Sequence, residues 1–148
     1  LGPRNMVMMQ MEVTPEQNWA LIDRAHALGA TTMMNLAPAI RVPEATLKKL
    51  DYLIVNQLEA RQIAQIMKIP AENNESTIAL ALAKMGELTC VVTMGERGSF
   101  AVTEDGHKIH VPALDIGEVV DKTGAGDAYC GTLAAALHAG LTLPEAMK

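Results

Sequence analysis

The chain has 148 residues, with 12 lysines and arginines against 17 aspartates and glutamates, which gives a formal net charge of -5 at pH 7. Its hydrophobic fraction of 49% and charged fraction of 20% are typical of a folded globular protein, so the composition excludes a disordered chain. No apolar run reaches the ~18 residues of a spanning helix, and the acidic chain has no basic cluster, so we expect neither a membrane nor a nucleic acid as partner.

Short apolar runs alternate with segments of helical periodicity along the chain. Strands are predicted at residues 6–10, 31–34, 52–55 and 89–93, and helices at residues 15–28, 58–67, 76–85 and 124–140. The strands are continuous apolar runs, which is typical of parallel strands covered on both faces. Residues 99–103 and 107–111 flank a polar connector that contains glycine and predict an added antiparallel hairpin. Residues 1–148 are therefore predicted to form a single α/β unit.

Several helix boundaries are also predicted. Thr14 and Gln17 form a capping-box pattern before the first helix, whose buried face is expected to include Leu28. Gly86 is expected to end the third helix. A second capping-box pattern begins at Thr142, but the chain ends about one turn later, so we expect it to be part of a longer polypeptide.

The two cysteines show no spacing typical of a metal site. Cys90 lies in an apolar run that predicts a buried strand, and Cys130 lies in the last long helix. With no visible signal peptide, these residues favour a reducing cytoplasmic location.

The most informative segment is residues 119–128, which reads VVDKTGAGDA. A strand-like pair of valines leads into a turn of small residues that opens a helix, and the first N–H groups of a helix have no intrahelical partner. Gly124 and Gly126 place no side chain over these groups, so phosphate oxygens can approach them. Asp127 could accept the proton of an alcohol, or it could only complement the helix start.

Two further segments follow predicted strands. Thr93, Gly95 and Gly98 form a Thr-x-Gly-x-x-Gly turn, which offers a hydroxyl and amides to a ligand or serves only as a turn. Asn56 and Glu59 offer oxygen ligands to Mg²⁺, directly or through water, or they form a variant of the capping box. Because the carboxyl ends of parallel strands share one edge of a sheet, we expect all three segments to gather there.

Together these residues resemble the ribokinase-like family of sugar and nucleoside kinases. Residues 121–127 are similar to the family's DTxGAGD signature, residues 56–59 to its NxxE motif and residues 93–98 to its TxGxxG turn. The resemblance implies a three-layer α/β/α fold with a mostly parallel sheet. It also implies that the amino-terminal sugar-binding and lid part and the last carboxy-terminal helices of the family are absent.

The resemblance implies a role for each residue of these motifs. Asp127 would be the catalytic base and would contact the sugar, beside an anion hole made by Gly124, Ala125 and Gly126. The residues expected at ATP and its Mg²⁺ are Thr93, Gly95, Gly98, Thr123, Asn56 and Glu59. The region from residue 98 to residue 120 would line the adenine pocket.

Other positions carry weaker implications of the same resemblance. Asp121 and the carbonyl of Thr123 match a site for a monovalent cation such as K⁺. Glu12 lies in a stretch whose glutamate contacts the sugar in the family, although it is equally an exposed residue at a strand end. Lys122 replaces the family's usual threonine, where its charge would aid a phosphate or point to solvent.

The implied activity is ATP-dependent phosphorylation of a sugar's primary hydroxyl, with ribose as the expected sugar. Fructose, a sugar acid or a nucleoside remain alternative substrates, and a non-catalytic nucleotide-binding remnant remains an alternative function. Without the missing part the 148 residues alone are expected to be inactive. A homodimer, if formed, would use the missing lid.

Overall fold

In the computed structural model, which describes residues 1–70, 74–115, 117 and 120–148, six strands form one sheet in chain order. They are β1 (Met6–Gln10), β2 (Thr31–Asn35), β3 (Tyr52–Asn56), β4 (Thr89–Thr93), β5 (Ser99–Val102) and β6 (Lys108–Val111). Strands β1 to β4 are parallel, whereas β5 and β6 are each antiparallel to their neighbours. The predicted parallel strands and the added hairpin are therefore confirmed.

Helices cover both faces of this sheet. One face packs against α1 (Pro15–Ala27), α2 (Glu44–Leu47), α3 (Gln57–Met67) and α4 (Glu75–Gly86), and the other against α5 (Ala125–His138) and α6 (Leu143–Ala146). The three-layer α/β/α prediction is confirmed. Sequence reasoning did not predict α2, because a single turn is too short to show helical periodicity. Within the described ranges, no helix is both long enough and apolar enough to cross a membrane.

The core explains the continuous apolar runs of the strands. In β3, Leu53 and Val55 pack toward α1 to α4, while Ile54 packs toward α5 and α6. None of these three residues is more than 1% exposed. Because successive strand residues point to opposite faces and both faces are covered, an apolar residue is needed at every position.

The start and end of α1 differ from the prediction. The Thr14 hydroxyl makes no capping hydrogen bond, because the N–H of Gln17 already donates to the Thr14 backbone carbonyl at 3.1 Å. Leu28 follows the last helical residue and is 42% exposed, so the prediction that it is buried is wrong.

The second capping box, at the start of α6, is present, and the Glu145 carboxylate accepts the Thr142 N–H at 2.9 Å.

The end of α4 also differs from the prediction. Gly86 remains helical, and Glu87 takes the left-handed conformation that closes the helix, with φ of 55°. A Cβ on Gly86 would lie 2.5 Å from Leu88 Cδ2. A side chain here would displace the end of Leu88 and lie 3.1 Å from the Leu47 carbonyl oxygen, whereas the left-handed position belongs to Glu87.

The fold brings polar residues together at the carboxyl edge of the parallel strands. The register pairs Gln10 with Asn35 and Asn56 with Thr93, and each of these residues ends its strand. The amino terminus of α5 reaches the same edge, where the Gln10 side chain donates to Asp127 at 2.8 Å. This edge is where the candidate site lies.

Gly98 is the position at which the turn after β4 most depends on glycine. Its φ is +84°, and a Cβ would lie 2.1 Å from the Val111 carbonyl oxygen of β6. Gly98→Ala should therefore lower the free energy of unfolding by about 2–4 kcal/mol, measured by urea denaturation. Gly131→Ala is the matched control, since that helical glycine faces open space and the change should stabilise α5 by up to about 1 kcal/mol. A loss below about 1 kcal/mol for Gly98→Ala would contradict the close approach of β6.

Candidate active site

Asp127 lies in the first turn of α5, on the exposed side of the sheet's carboxyl edge. The helix begins after Gly124, whose φ of 75° is in the left-handed region that favours glycine. Asp127 Oδ1 accepts a hydrogen bond from Gln10 Nε2 at 2.8 Å. The carboxylate is therefore held at the end of β1 while staying accessible to a ligand.

A cavity of about 180 Å³ separates this turn from the ends of β2, β3 and β4. Six residues that the sequence singled out line it: Asn56, Glu59, Thr93, Gly124, Gly126 and Asp127. A larger cavity, about 600 Å³, lies at the opposite, amino-terminal edge beside Tyr52 and Thr89, and no predicted site residue lines it. The smaller cavity is the candidate site, because the three motifs meet there.

The loop before α5 leaves part of its backbone open toward the cavity. A Cβ on Gly124 or Gly126 would meet no atom within 4 Å. The N–H of Ala125, one of the three predicted anion-hole residues, instead donates to the Lys122 carbonyl at 3.2 Å. Within the described part of the chain, the N–H groups of Gly126 and Asp127 have no acceptor, as expected for the first turn of a helix. These two amides are the open donors of the turn.

Asn56 and Glu59 form a complete capping box at the start of α3. Asn56 Oδ1 accepts the Glu59 N–H at 2.9 Å, and Glu59 Oε2 accepts the Asn56 N–H at 2.8 Å. Both side chains also line the cavity. Burial raises the pKa of the Glu59 carboxyl above its usual value, and the hydrogen bonds with Asn56 oppose that rise. Asn56 and Glu59 therefore cap α3, and the half-buried carboxyl of Glu59 also lies at the cavity.

Cys130 lines the cavity one turn after Asp127. Burial raises the pKa of its thiol to about 11, and the nearby carboxylates of Asp127 and Glu59 add to the rise. The thiol is therefore neutral at physiological pH. A neutral, buried thiol lines the site without acting as a nucleophile.

The turn after β4 is connected to the loop before α5 by an ion pair. Lys122 Nζ lies 2.8 Å from Glu96 Oε1, and this hydrogen bond lowers the pKa of the Glu96 carboxyl. Of the three predicted residues of this turn, Thr93 lines the cavity, whereas Gly95 and Gly98 shape the turn beside it. The pair lies in solvent, with the Lys122 side chain 71% exposed and the Glu96 side chain 82% exposed.

Other predicted residues lie outside the cavity. Glu12 is exposed, two residues beyond Gln10, and does not line it. The Thr123 N–H donates to Asp121 Oδ1 at 2.8 Å and lowers the pKa of this exposed carboxyl, which is therefore ionised. Val120 is 97% exposed and lies in no strand, so its predicted place in a strand is wrong. Val119 lies outside the described residues.

Sequence reasoning missed the contact of Gln10 with Asp127 and the position of Cys130. Both carried a usable signal. Gln10 ends a parallel strand, as Asn56 and Thr93 do, and Cys130 follows Asp127 by three residues on a helix. The polar ends of all four parallel strands could have been considered together.

Comparison with known proteins shows which family the chain belongs to. The family model described as pfkB family carbohydrate kinase matches residues 8–148. A deoxyribokinase of Salmonella typhi is 32% identical over 130 residues, which are 87% of this chain and 42% of that protein.

Two ribokinase structures share the fold with a TM-score of 0.85 each. The Thermotoga maritima structure is 26% identical, with 97% of this chain and 46% of that one covered. The Arabidopsis thaliana structure, complexed with ribose and ATP, is 23% identical, with 96% and 46% covered. The chain thus spans less than half the length of these relatives. The match to the family model over nearly its whole length shows that the chain belongs to the pfkB family of carbohydrate kinases.

Proposed function

We propose that this chain is the nucleotide-binding and catalytic part of an ATP-dependent kinase that phosphorylates the primary hydroxyl of a sugar. The observation that carries the proposal is the position of Asp127, which lies beside two open amides on a cavity lined by Asn56, Glu59 and Thr93. Relatives named deoxyribokinase and ribokinase support a pentose, with ribose as the first candidate. Fructose, a sugar acid and a nucleoside are the alternative acceptors.

Asp127 acts as the general base in this proposal. Its exposed carboxylate accepts the proton of the sugar hydroxyl while the hydroxyl oxygen attacks the γ-phosphorus of ATP and the bond to the ADP oxygen breaks. A base placed in this way contributes ~10²–10⁴-fold to the rate. Oδ1 already accepts from Gln10, so Oδ2 is the oxygen that takes the proton.

The first turn of α5 stabilises the charge that develops on the transferred phosphoryl group. The N–H groups of Gly126 and Asp127 donate to its oxygens, and Gly124 leaves room for their approach. Ala125 joins them only when its hydrogen bond to the Lys122 carbonyl opens. Thr93 and the turn formed by Gly95 and Gly98 would contact the ATP phosphates from the neighbouring strand.

Glu59 and Asn56 fit a Mg²⁺ ion that keeps most of its water. The ion would offset negative charge on the phosphates. Glu59 Oε1 remains available, since Oε2 accepts the Asn56 N–H. Among the described residues no group of three or more acidic, histidine or cysteine side chains could hold a metal ion, which suits binding through water and substrate phosphates. Asp121 and the Thr123 carbonyl would hold K⁺ in the same proposal.

The acceptor site is proposed to need residues beyond these 148, because the chain spans less than half of its relatives. We therefore propose that the isolated chain is inactive and that Glu12 joins the sugar site only in the intact protein. A cytoplasmic location and a homodimer through a lid belong to the same proposal. Assaying the intact protein with ribose, deoxyribose, fructose, sugar acids and nucleosides would identify the acceptor.

Replacement of the proposed base is the direct test. In the intact protein containing this chain, Asp127→Asn should lower kcat by about 10²–10⁴-fold because the amide cannot accept the proton, with KM for ATP little changed. Steady-state kinetics measure both constants. Asp23→Asn is the matched control, since Asp23 is an exposed residue that pairs with Lys49 on α1's side of the sheet.

Retention of more than about a tenth of the wild-type kcat by Asp127→Asn would reject the role of this carboxylate. Binding of ATP by the intact protein without phosphorylation of any acceptor would instead indicate a nucleotide-binding protein that is not a kinase.

Glu59→Gln separates helix capping from metal binding. The amide oxygen can still accept the Asn56 N–H, so the free energy of unfolding should change by less than about 1 kcal/mol. Loss of the charge should lower kcat/KM for MgATP by about tenfold or more. Glu145→Gln is the matched control, because Glu145 occupies the equivalent capping position of α6.

The same variant should change the pH dependence. Because the pKa of Glu59 is raised, this carboxyl takes up a proton at a higher pH than an exposed glutamate, and affinity for MgATP falls as the pH drops through that pKa. The fall should be absent in Glu59→Gln, which carries no charge at any pH. Wild-type kinetics for Glu59→Gln at every pH would show that Glu59 only caps the helix.

A further inference from the structure

The hydrogen bond between Gln10 and Asp127 connects residues 117 positions apart in the chain. Gln10 Nε2 lies 2.8 Å from Asp127 Oδ1, and within the described residues it is the side chain that donates to this carboxylate. None of the motifs found in the sequence contains Gln10 among its functional positions. The contact therefore needs a separate explanation.

The backbone of Gln10 is held on two sides. Its carbonyl accepts the Asn18 Nδ2 of α1 at 2.8 Å, and Asn18 is only 3% exposed. Gln10 also pairs with Asn35 in the β1–β2 register, and the next N–H, that of Met11, donates to the Ala37 carbonyl at 3.3 Å. The amide of Gln10 thus extends from an anchored strand end toward the first turn of α5.

We propose that Gln10 is a positioning residue for the base Asp127. This inference rests on the proposed function. By donating to Oδ1, Gln10 fixes the rotation of the carboxylate and leaves Oδ2 to accept the proton of the acceptor hydroxyl.

The groups that surround Asp127 include a second carboxyl group, which makes a hydrogen-bond donor to Asp127 more important. Glu59 of α3 lines the same cavity, and Cys130 lies one turn along α5. Strands β1 and β2 carry no titratable side chain, and the nearby Lys122 is paired with Glu96. On α3, Arg61 is paired with Glu75, so among these groups Gln10 is the one that donates to Asp127.

Gln10→Met tests the inference in the intact protein, because methionine has a similar size and no donor. We expect kcat to fall by about tenfold or more, with KM for ATP and for the sugar within about twofold of wild type. Gln62→Met is the matched control, since Gln62 is exposed on α3.

An unchanged kcat in Gln10→Met would overturn the inference, and so would a rise in sugar KM alone, which would indicate direct sugar binding. If Gln10→Met folds poorly, Gln10→Glu keeps the shape and removes the donor, and its carboxylate beside Asp127 should likewise lower kcat. Asp127→Asn distinguishes a failure of this inference from a failure of the proposed function. If that variant is inactive while both Gln10 variants match wild type, only the role of Gln10 is wrong; if it is active, the proposed function itself is wrong.

Discussion

The contact between the first turn of α5 and the carboxyl ends of the parallel strands is the constraint on which the site depends. Asp127 and the open amides of Gly126 and Asp127 belong to α5, whereas Asn56 and Thr93 end β3 and β4 and Glu59 lies in the first turn of α3. They share a cavity only because α5 packs its buried residues, Cys130 and Leu133, against the sheet. Burial of apolar surface thus sets the geometry of the polar groups.

Structural and chemical roles coincide at the start of α3. The hydrogen bonds between Asn56 and Glu59 satisfy backbone N–H groups that a helix start leaves unpaired. The same bonds hold a half-buried carboxyl against the cavity and oppose the rise in its pKa that burial causes. Capping and metal binding therefore do not exclude each other, because a carboxylate has an oxygen for each.

The parts of the fold that follow from local patterns could be predicted from the sequence. Continuous apolar runs indicated β1 to β4, and the polar connector between β5 and β6 indicated the hairpin. The predictions from the sequence were wrong where packing between distant residues determines the structure. Val120 is apolar yet lies outside the sheet, and Gly86 is still helical as the last residue of α4, while Glu87 takes the left-handed conformation. A pair of apolar residues or a single glycine in the sequence does not indicate which residues will lie next to it in the folded chain.

The site was predictable as a set of motifs but not as a set of contacts. Strand order and parallel direction were enough to bring Asn56, Glu59 and Thr93 to one edge. The hydrogen bond of Gln10 to Asp127 and the ion pair of Lys122 with Glu96 each join distant parts of the chain. Such contacts depend on tertiary packing, so the position of Gln10 at a strand end could suggest its place at this edge but not its partner.

A crystal structure of the intact protein with a non-hydrolysable ATP analogue, Mg²⁺ and a pentose tests the central claim most directly. The account predicts that the terminal phosphate meets the amides of Gly126 and Asp127 and that the sugar's primary hydroxyl lies within hydrogen-bonding distance of the Asp127 carboxylate. A triphosphate bound elsewhere, with Asp127 turned away from both ligands, would contradict it.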